Sequence, residues 1–139
     1  MAATELAHVG YLARDLDEAV ERARATFALP VARTLELPQF DLSAVFLGPG
    51  TGTVELFTFN DPELLERRLG ERDLMLDHTA LLVDDIASTM SSMAAIGASF
   101  SGPDGRLTVS EPFELGGALH AWSGANSGGW SLQLIQPLG

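Results

Sequence analysis

Apolar and polar positions along the chain fall into two rounds of the same pattern. The run Leu6-Ala7-His8-Val9-Gly10-Tyr11-Leu12-Ala13 returns seventy residues later as Leu76-Asp77-His78-Thr79-Ala80-Leu81-Leu82-Val83, and both runs predict strands. Each is followed by an aspartate and then apolar residues at helical spacing: Asp15 before Leu16, Ala19, Val20, Ala23 and Phe27, and Asp85 before Ile86, Met90, Met93 and Ile96. Asp15 and Glu18 have the spacing of a capping box. Downstream, Leu42–Leu47 and Thr53–Phe59 flank a Gly-Pro-Gly-Thr-Gly turn, and Ala118–Trp122 and Trp130–Ile135 flank a turn rich in Gly, Ser and Asn, so each half predicts a hairpin. A third strand is expected near Val31–Leu37 in the first half, and at Ala98–Phe100 or Leu107–Ser110 in the second. Between the halves, Asp61 as N-cap, Pro62 at the first helical position, Leu64, Leu65 and Leu69, and Gly70 as a stop predict a connecting helix over 62–70.

Size and charge narrow what such a chain can do. With 139 residues and 46% apolar content it has room for one folded domain made of two halves, about 5–60 and 75–138. A formal charge of -11 repels nucleic-acid phosphates and anionic lipid surfaces, and no window supplies the apolar run of about 18 residues that a bilayer span needs. The opening Met1-Ala2-Ala3-Thr4-Glu5 lacks the basic-then-apolar layout of a secretory signal, so a cytoplasmic protein is expected. The chain has no cysteine, which excludes disulfides, thiolate nucleophiles and cysteine zinc sites. Any metal must therefore be held by nitrogen and oxygen.

Candidate chemistry sits at the repeated positions. His8 and His78 recur at corresponding places just inside a strand, which favours a ligand pair over two unrelated core histidines. Glu55 interrupts the apolar run Val54-Leu56-Phe57, where an ionised carboxylate is costly to bury alone; either its side of the strand meets water or it has a cation. His120 lies in a predicted strand and faces either the site or the helices; alternation requires Leu119 and Ala121 to face opposite to His120 and Trp122. Phe46, Phe57, Phe59, Trp122 and Trp130 are expected mainly as packing, as are Met90 and Met93.

A tandem βαβββ chain of this length, with His in the first strand of each half and Glu or Gln in the last, resembles the vicinal oxygen chelate superfamily, which includes the glyoxalase, bleomycin-resistance and dioxygenase proteins. Within it the segments AHVGYLARDLDEAV, VELFTF, LDHTALLVDDI and SLQLIQP most resemble methylmalonyl-CoA epimerases. The resemblance implies an α+β fold of two curled mixed sheets around a shared cleft, a homodimer, and a divalent metal held by His8, Glu55, His78 and Gln133. Nitrogen, carboxylate and amide donors suit Zn, Ni, Co, Fe or Mn. The epimerases carry the amide in the first half and the acid in the second; here the two have exchanged halves at constant ligand charge.

The implied activity is proton abstraction beside a metal-chelated carbonyl, epimerase-like on an acyl thioester or a related small substrate, with Glu55 and His120 as candidate catalytic residues. Epimerisation needs a base on each side of the reacting carbon. Ala44 and Gln133 stand where the epimerases carry their glutamates, which leaves open a one-base isomerase or a glyoxalase-type lyase. An anionic glutathione adduct would want basic residues, and the candidates are Arg33 and Arg106 in loops and Arg67, Arg68 and Arg72 around the connecting helix. A ring-cleaving dioxygenase would need an acid where Gln133 stands. The alternatives outside catalysis are a metal-free protein that sequesters a small drug-type molecule, and a structural module in which the polar residues are incidental.

Overall fold

The computed structural model describes residues 4–103, 108–124 and 131–139. In order, the elements are β1 (Thr4–Ala13), α1 (Leu16–Phe27), β2 (Val31–Leu37), β3 (Leu42–Leu47), β4 (Val54–Phe59), α2 (Pro62–Leu69), β5 (Leu74–Val83), α3 (Ile86–Ala94), β6 (Phe100–Ser101), β7 (Thr108–Val109), β8 (Phe113–Leu115), β9 (Ala118–Ser123) and β10 (Leu132–Pro137). The chain divides into two compact units, His8–Asp77 and Met1–Ala7 with His78–Gly139. The α+β class and the mixed sheets implied by the resemblance are those observed. No described helix is long and apolar enough to cross a membrane.

In the first unit, β2, β3 and β4 form an antiparallel meander, and β4 returns to lie parallel to β1 with Gly10 opposite Glu55 and Leu12 opposite Phe57. The β3–β4 turn is tight because of glycine: at Gly52, with φ +98°, a Cβ would sit 2.6 Å from the Cβ of Phe46. Strand alternation places His8, Gly10 and Leu12 on one face with Leu42, Ala44, Phe46, Glu55, Phe57 and Phe59. That face carries the unit's core, closed by Leu64 and Leu69 of α2.

The connecting helix forms for the reasons its sequence announces. Asp61 accepts from the Glu63 and Leu64 amides, Pro62 opens the helix, and Gly70 ends it at φ +61°. Arg14 secures the exit by donating to the carbonyls of Gly70 and Arg72 at 2.6 and 2.9 Å. Helix α1 is held differently. Asp15 accepts from the Glu18 amide at 3.0 Å, while the Glu18 carboxylate pairs with Arg22 at 2.5 Å. No residue of α1 is buried, and Phe27, on the expected apolar stripe, is 69% exposed. Between α1 and the face opposite His8 lies a groove of about 1310 Å³, walled by Leu16, Ala23, Val54, Leu56 and Thr58.

In the second unit β10 runs parallel to β5, with Gln133 opposite Ala80, and antiparallel to β9, with Gln133 opposite Trp122. The third strand expected here is divided into short pieces: β6 pairs with both β7 and β9, and β8 with β9. The core gathers Val83, Ile86, Met90, Phe100, Ala121 and Leu134, so it lies on the sheet face opposite Gln133 and is closed by α3. Met93 packs against this cluster as expected. Ile96 does not: the helix ends at Ala94, the chain turns at Gly97, and Ile96 is left 67% exposed.

Candidate metal centre

Five polar or charged side chains are buried among the described residues: His8, Glu55, His78, Ser123 and Gln133. Four of them are the positions singled out as ligands from the sequence. Their exposures of 5%, 8%, 7% and 6% in chain order decide the choice left open for Glu55, whose side of the strand does not meet water. Ser123 stands opposite Leu132, one step out of phase with Gln133, and therefore faces the other side of its sheet.

Each unit presents its donors by the same device. In the first, His8 lies two residues before Gly10, and Gly10 is the register partner of Glu55 on the parallel strand β4. In the second, His78 lies two residues before Ala80, and Ala80 is the register partner of Gln133 on the parallel strand β10. An even step along a strand keeps side chains on one face, so histidine and its acid or amide are diagonal neighbours on one side of their sheet in both units. In the first unit the contact is direct, with His8 Nε2 at 3.5 Å from Glu55 Oε1. The His8 ring meets the Phe46 ring edge-on at 5.2 Å.

His120 belongs to the donor face of the second unit. Leu119 and Ala121 pack with the α3 core, whereas His120 and Trp122 share the other side with their rings stacked at 5.6 Å and 11°. Its Nδ1 lies 3.0 Å from the Gln133 amide nitrogen and its Nε2 3.1 Å from the Leu115 carbonyl oxygen. Sequence reasoning placed His120 in a strand but did not connect it to Gln133, because the contact depends on a β9–β10 register in which His120 stands opposite Ile135, two residues from Gln133.

The arginines proposed for an anionic substrate are mostly engaged in structure. Arg68 pairs with Asp77, and Arg72 donates to the Leu69 carbonyl at 3.1 Å. Arg33 is in β2 rather than a loop, because the apolar alternation of Val31–Leu37 continues through it; its guanidinium lies 3.7 Å over the Phe46 ring and donates to the Thr51 carbonyl. Arg106 and Trp130 lie outside the described residues.

The donor chemistry fits a divalent ion: two imidazoles, one carboxylate and one amide, each of them buried. No protein-family model and no curated protein matches the sequence. The structure is similar to a hypothetical protein from Bacillus halodurans C-125, at 18% identity over 99% of this chain and 96% of that one, with a TM-score of 0.77. It is also similar to methylmalonyl-CoA epimerase from Mycobacterium tuberculosis, at 16% identity over 96% and 88% with a TM-score of 0.76, and to another methylmalonyl-CoA epimerase at 23% identity over 96% and 95% with a TM-score of 0.74. The chain has the vicinal oxygen chelate fold.

Proposed function

We propose that the two modules form one domain in which His8, Glu55, His78 and Gln133 hold a single divalent ion, and that the protein is a metal-dependent isomerase or lyase acting beside the carbonyl of a small substrate. One observation carries this: the same buried donor pair at the same register in both modules, Gly10 opposite Glu55 and Ala80 opposite Gln133. A solvated strand face would have no reason to repeat it. When bound, the ion supplies Lewis acidity to a carbonyl oxygen and so acidifies the neighbouring carbon.

The chain's own groups then divide the remaining work. A Glu55 carboxylate oxygen takes the proton from the carbon and delivers it to the neighbouring atom in an isomerisation, or to the departing group in an elimination, with His8 at 3.5 Å restricting the carboxylate's orientation. His78 and Gln133 contribute neutral donors, so Glu55 brings the set's single formal negative charge. Ala44, which stands opposite Phe57 on the His8 face, offers no proton acceptor, and the Gln133 amide is no base at neutral pH. A single base suits isomerisation or elimination on one side of the substrate, which favours these over epimerisation. A neighbouring methylmalonyl-CoA epimerase structure holds methylmalonyl-CoA, and that supports an acyl thioester as the substrate class. Part of the same proposal are a cytoplasmic location and a homodimer, the latter supported by the corresponding leucines Leu6 and Leu76, which stand 64% and 58% exposed.

Elemental analysis of protein purified without an affinity tag tests the metal. Wild type should carry close to one equivalent, with loss in both His8→Ala and Glu55→Ala. Trace metal unchanged in all three would leave the metal-free sequestering protein as the better account. For the reaction, deuterium from solvent should enter the acidic carbon of an acyl-thioester substrate when the metal-loaded protein is present, and should not with Glu55→Ala.

A further inference from the structure

The hydrogen bonds around His120 have a direction that fixes one neighbouring group. A carbonyl oxygen only accepts, so the 3.1 Å contact to Leu115 requires the proton on His120 Nε2. In that tautomer Nδ1 is an acceptor, and the Gln133 amide at 3.0 Å must offer it an N–H. With the ring neutral and the Gln133 nitrogen at its Nδ1, the amide oxygen is turned away from His120. Were the Gln133 side chain rotated by half a turn, its oxygen would face a ring nitrogen with no hydrogen to give, and its NH₂ would face outward. An NH₂ group cannot ligate a cation; an amide oxygen can.

The frame holding the imidazole is itself constrained. Leu115 ends β8, and the Gly116-Gly117 turn, with φ of +57° and +79°, folds β8 directly back onto β9 so that Phe113 stands opposite His120. Trp122 stacks on the His120 ring, and Phe113 packs against Trp122 at 6.2 Å. Ring plane, tautomer and partner are thus all set by β8 and β9, before any ligand arrives.

We infer that His120 is a positioning residue, which through the Leu115 carbonyl and its own Nε2–H tautomer orients the Gln133 amide so that its oxygen is presented as a metal ligand. This rests on Gln133 being a ligand, and it assigns His120 a role other than proton transfer to substrate. It also accounts for an amide surviving in a position where the resemblance expects an acid: a carboxylate has two equivalent oxygens and needs no such steering, whereas an amide does.

The test combines a cobalt titration with nitrogen NMR. Two-bond proton–nitrogen correlations of the metal-free wild type should show His120 protonated at Nε2 and bare at Nδ1. Cobalt(II) alone, titrated into purified protein, should bind wild type at one equivalent and His120→Phe, which keeps a ring on Trp122, about tenfold more weakly, no more than loss of the Gln133 ligand itself would cost. In the Gln133→Ala background, adding His120→Phe should weaken binding no further, because the effect runs through the amide. A purely structural role predicts the same added loss in both backgrounds and would overturn the assignment. So would wild-type affinity in His120→Phe, or a proton found on Nδ1; the last is read in the unmutated protein and decides the matter even if the variant does not fold. A wild type that binds no cobalt overturns the metal centre and this role together, whereas wild-type binding undiminished in His120→Phe overturns this role alone.

Discussion

The two modules share their strand–helix order and donor register, but one buries its core on the donor side of its strands and the other on the side away from them. In the first, Leu12, Ala44, Phe46, Phe57 and Phe59 lie on the same face as His8 and Glu55, α2 closes that face, and α1 buries no residue. In the second, Val83, Ala121 and Leu134 lie on the face away from Gln133, where Ile86 and Met90 of α3 close it. The donor pair is therefore a property of strand register, preserved while the bulk of the packing changes sides. A second consequence concerns rigidity: Glu55 is braced by the core that stabilises its module, whereas Gln133 lies on the face away from its module's core and takes a polar contact from His120 on the neighbouring strand.

Core truncations give the largest effects and can break this contrast. Phe57→Ala removes a ring that is 2% exposed, on the His8 face two residues from Glu55, and should cost about 3–5 kcal/mol in urea unfolding. Ile86→Ala, at a side chain 1% exposed, should cost about 2–5 kcal/mol. Only Phe57→Ala should also weaken cobalt binding by the folded protein, since Ile86 packs on the side away from the donors. Equal effects of both truncations on cobalt affinity would mean that the side of the sheet bearing the core has no bearing on the centre.

Ligand substitutions come next. Removing Glu55 takes away the one anionic donor, and removing Gln133 a neutral one, so calorimetric titration of cobalt should show a loss of at least about 100-fold for Glu55→Ala and about tenfold for Gln133→Ala. The exchange Glu55→Gln with Gln133→Glu keeps the charge and moves it to the second module. Affinity closer to wild type than in either single substitution would show that charge count governs binding. A double variant as weak as Glu55→Gln alone would show instead that the carboxylate must sit in the core-braced module.

What was legible in the sequence follows the same division. The capping aspartates and the turn-forming glycines act within a few residues of themselves, and the helices and hairpin strands follow from them; His8 and His78 stand out by their repetition, whereas Gln133 enters as a ligand position only through the family resemblance. The side on which each core gathers was not legible, because alternation defines two faces without saying which one a helix will cover. Phe27 and Ile96 show this: each continues a helical spacing, yet one projects from a helix that buries nothing and the other falls past the end of α3. The contact of His120 with Gln133 was hidden for a related reason, since it depends on a cross-strand register spanning thirteen residues of sequence.

The smallest effects should separate the two helices that the repeat makes equivalent. Asp15 and Asp85 each accept from the amide three residues on, at 3.0 Å, so the local cost of removing either cap is about 1 kcal/mol. How much of that cost reaches global stability depends on how firmly each helix is docked. Helix α3 is tied to its sheet by Ile86 and Met90, and Gln136 of β10 accepts from the Ile86 amide at 2.9 Å, so its first turn unfolds only with the rest of the module. Asp85→Ala should lower the unfolding free energy by close to the full amount. Helix α1 has no buried residue and can fray locally, so Asp15→Ala should cost less than about 0.5 kcal/mol globally while speeding amide exchange along the first turns of α1. If urea unfolding shows the two substitutions to be equal, with no added exchange in α1, then α1 is as firmly seated as α3 and the groove beneath it is no sign of looseness.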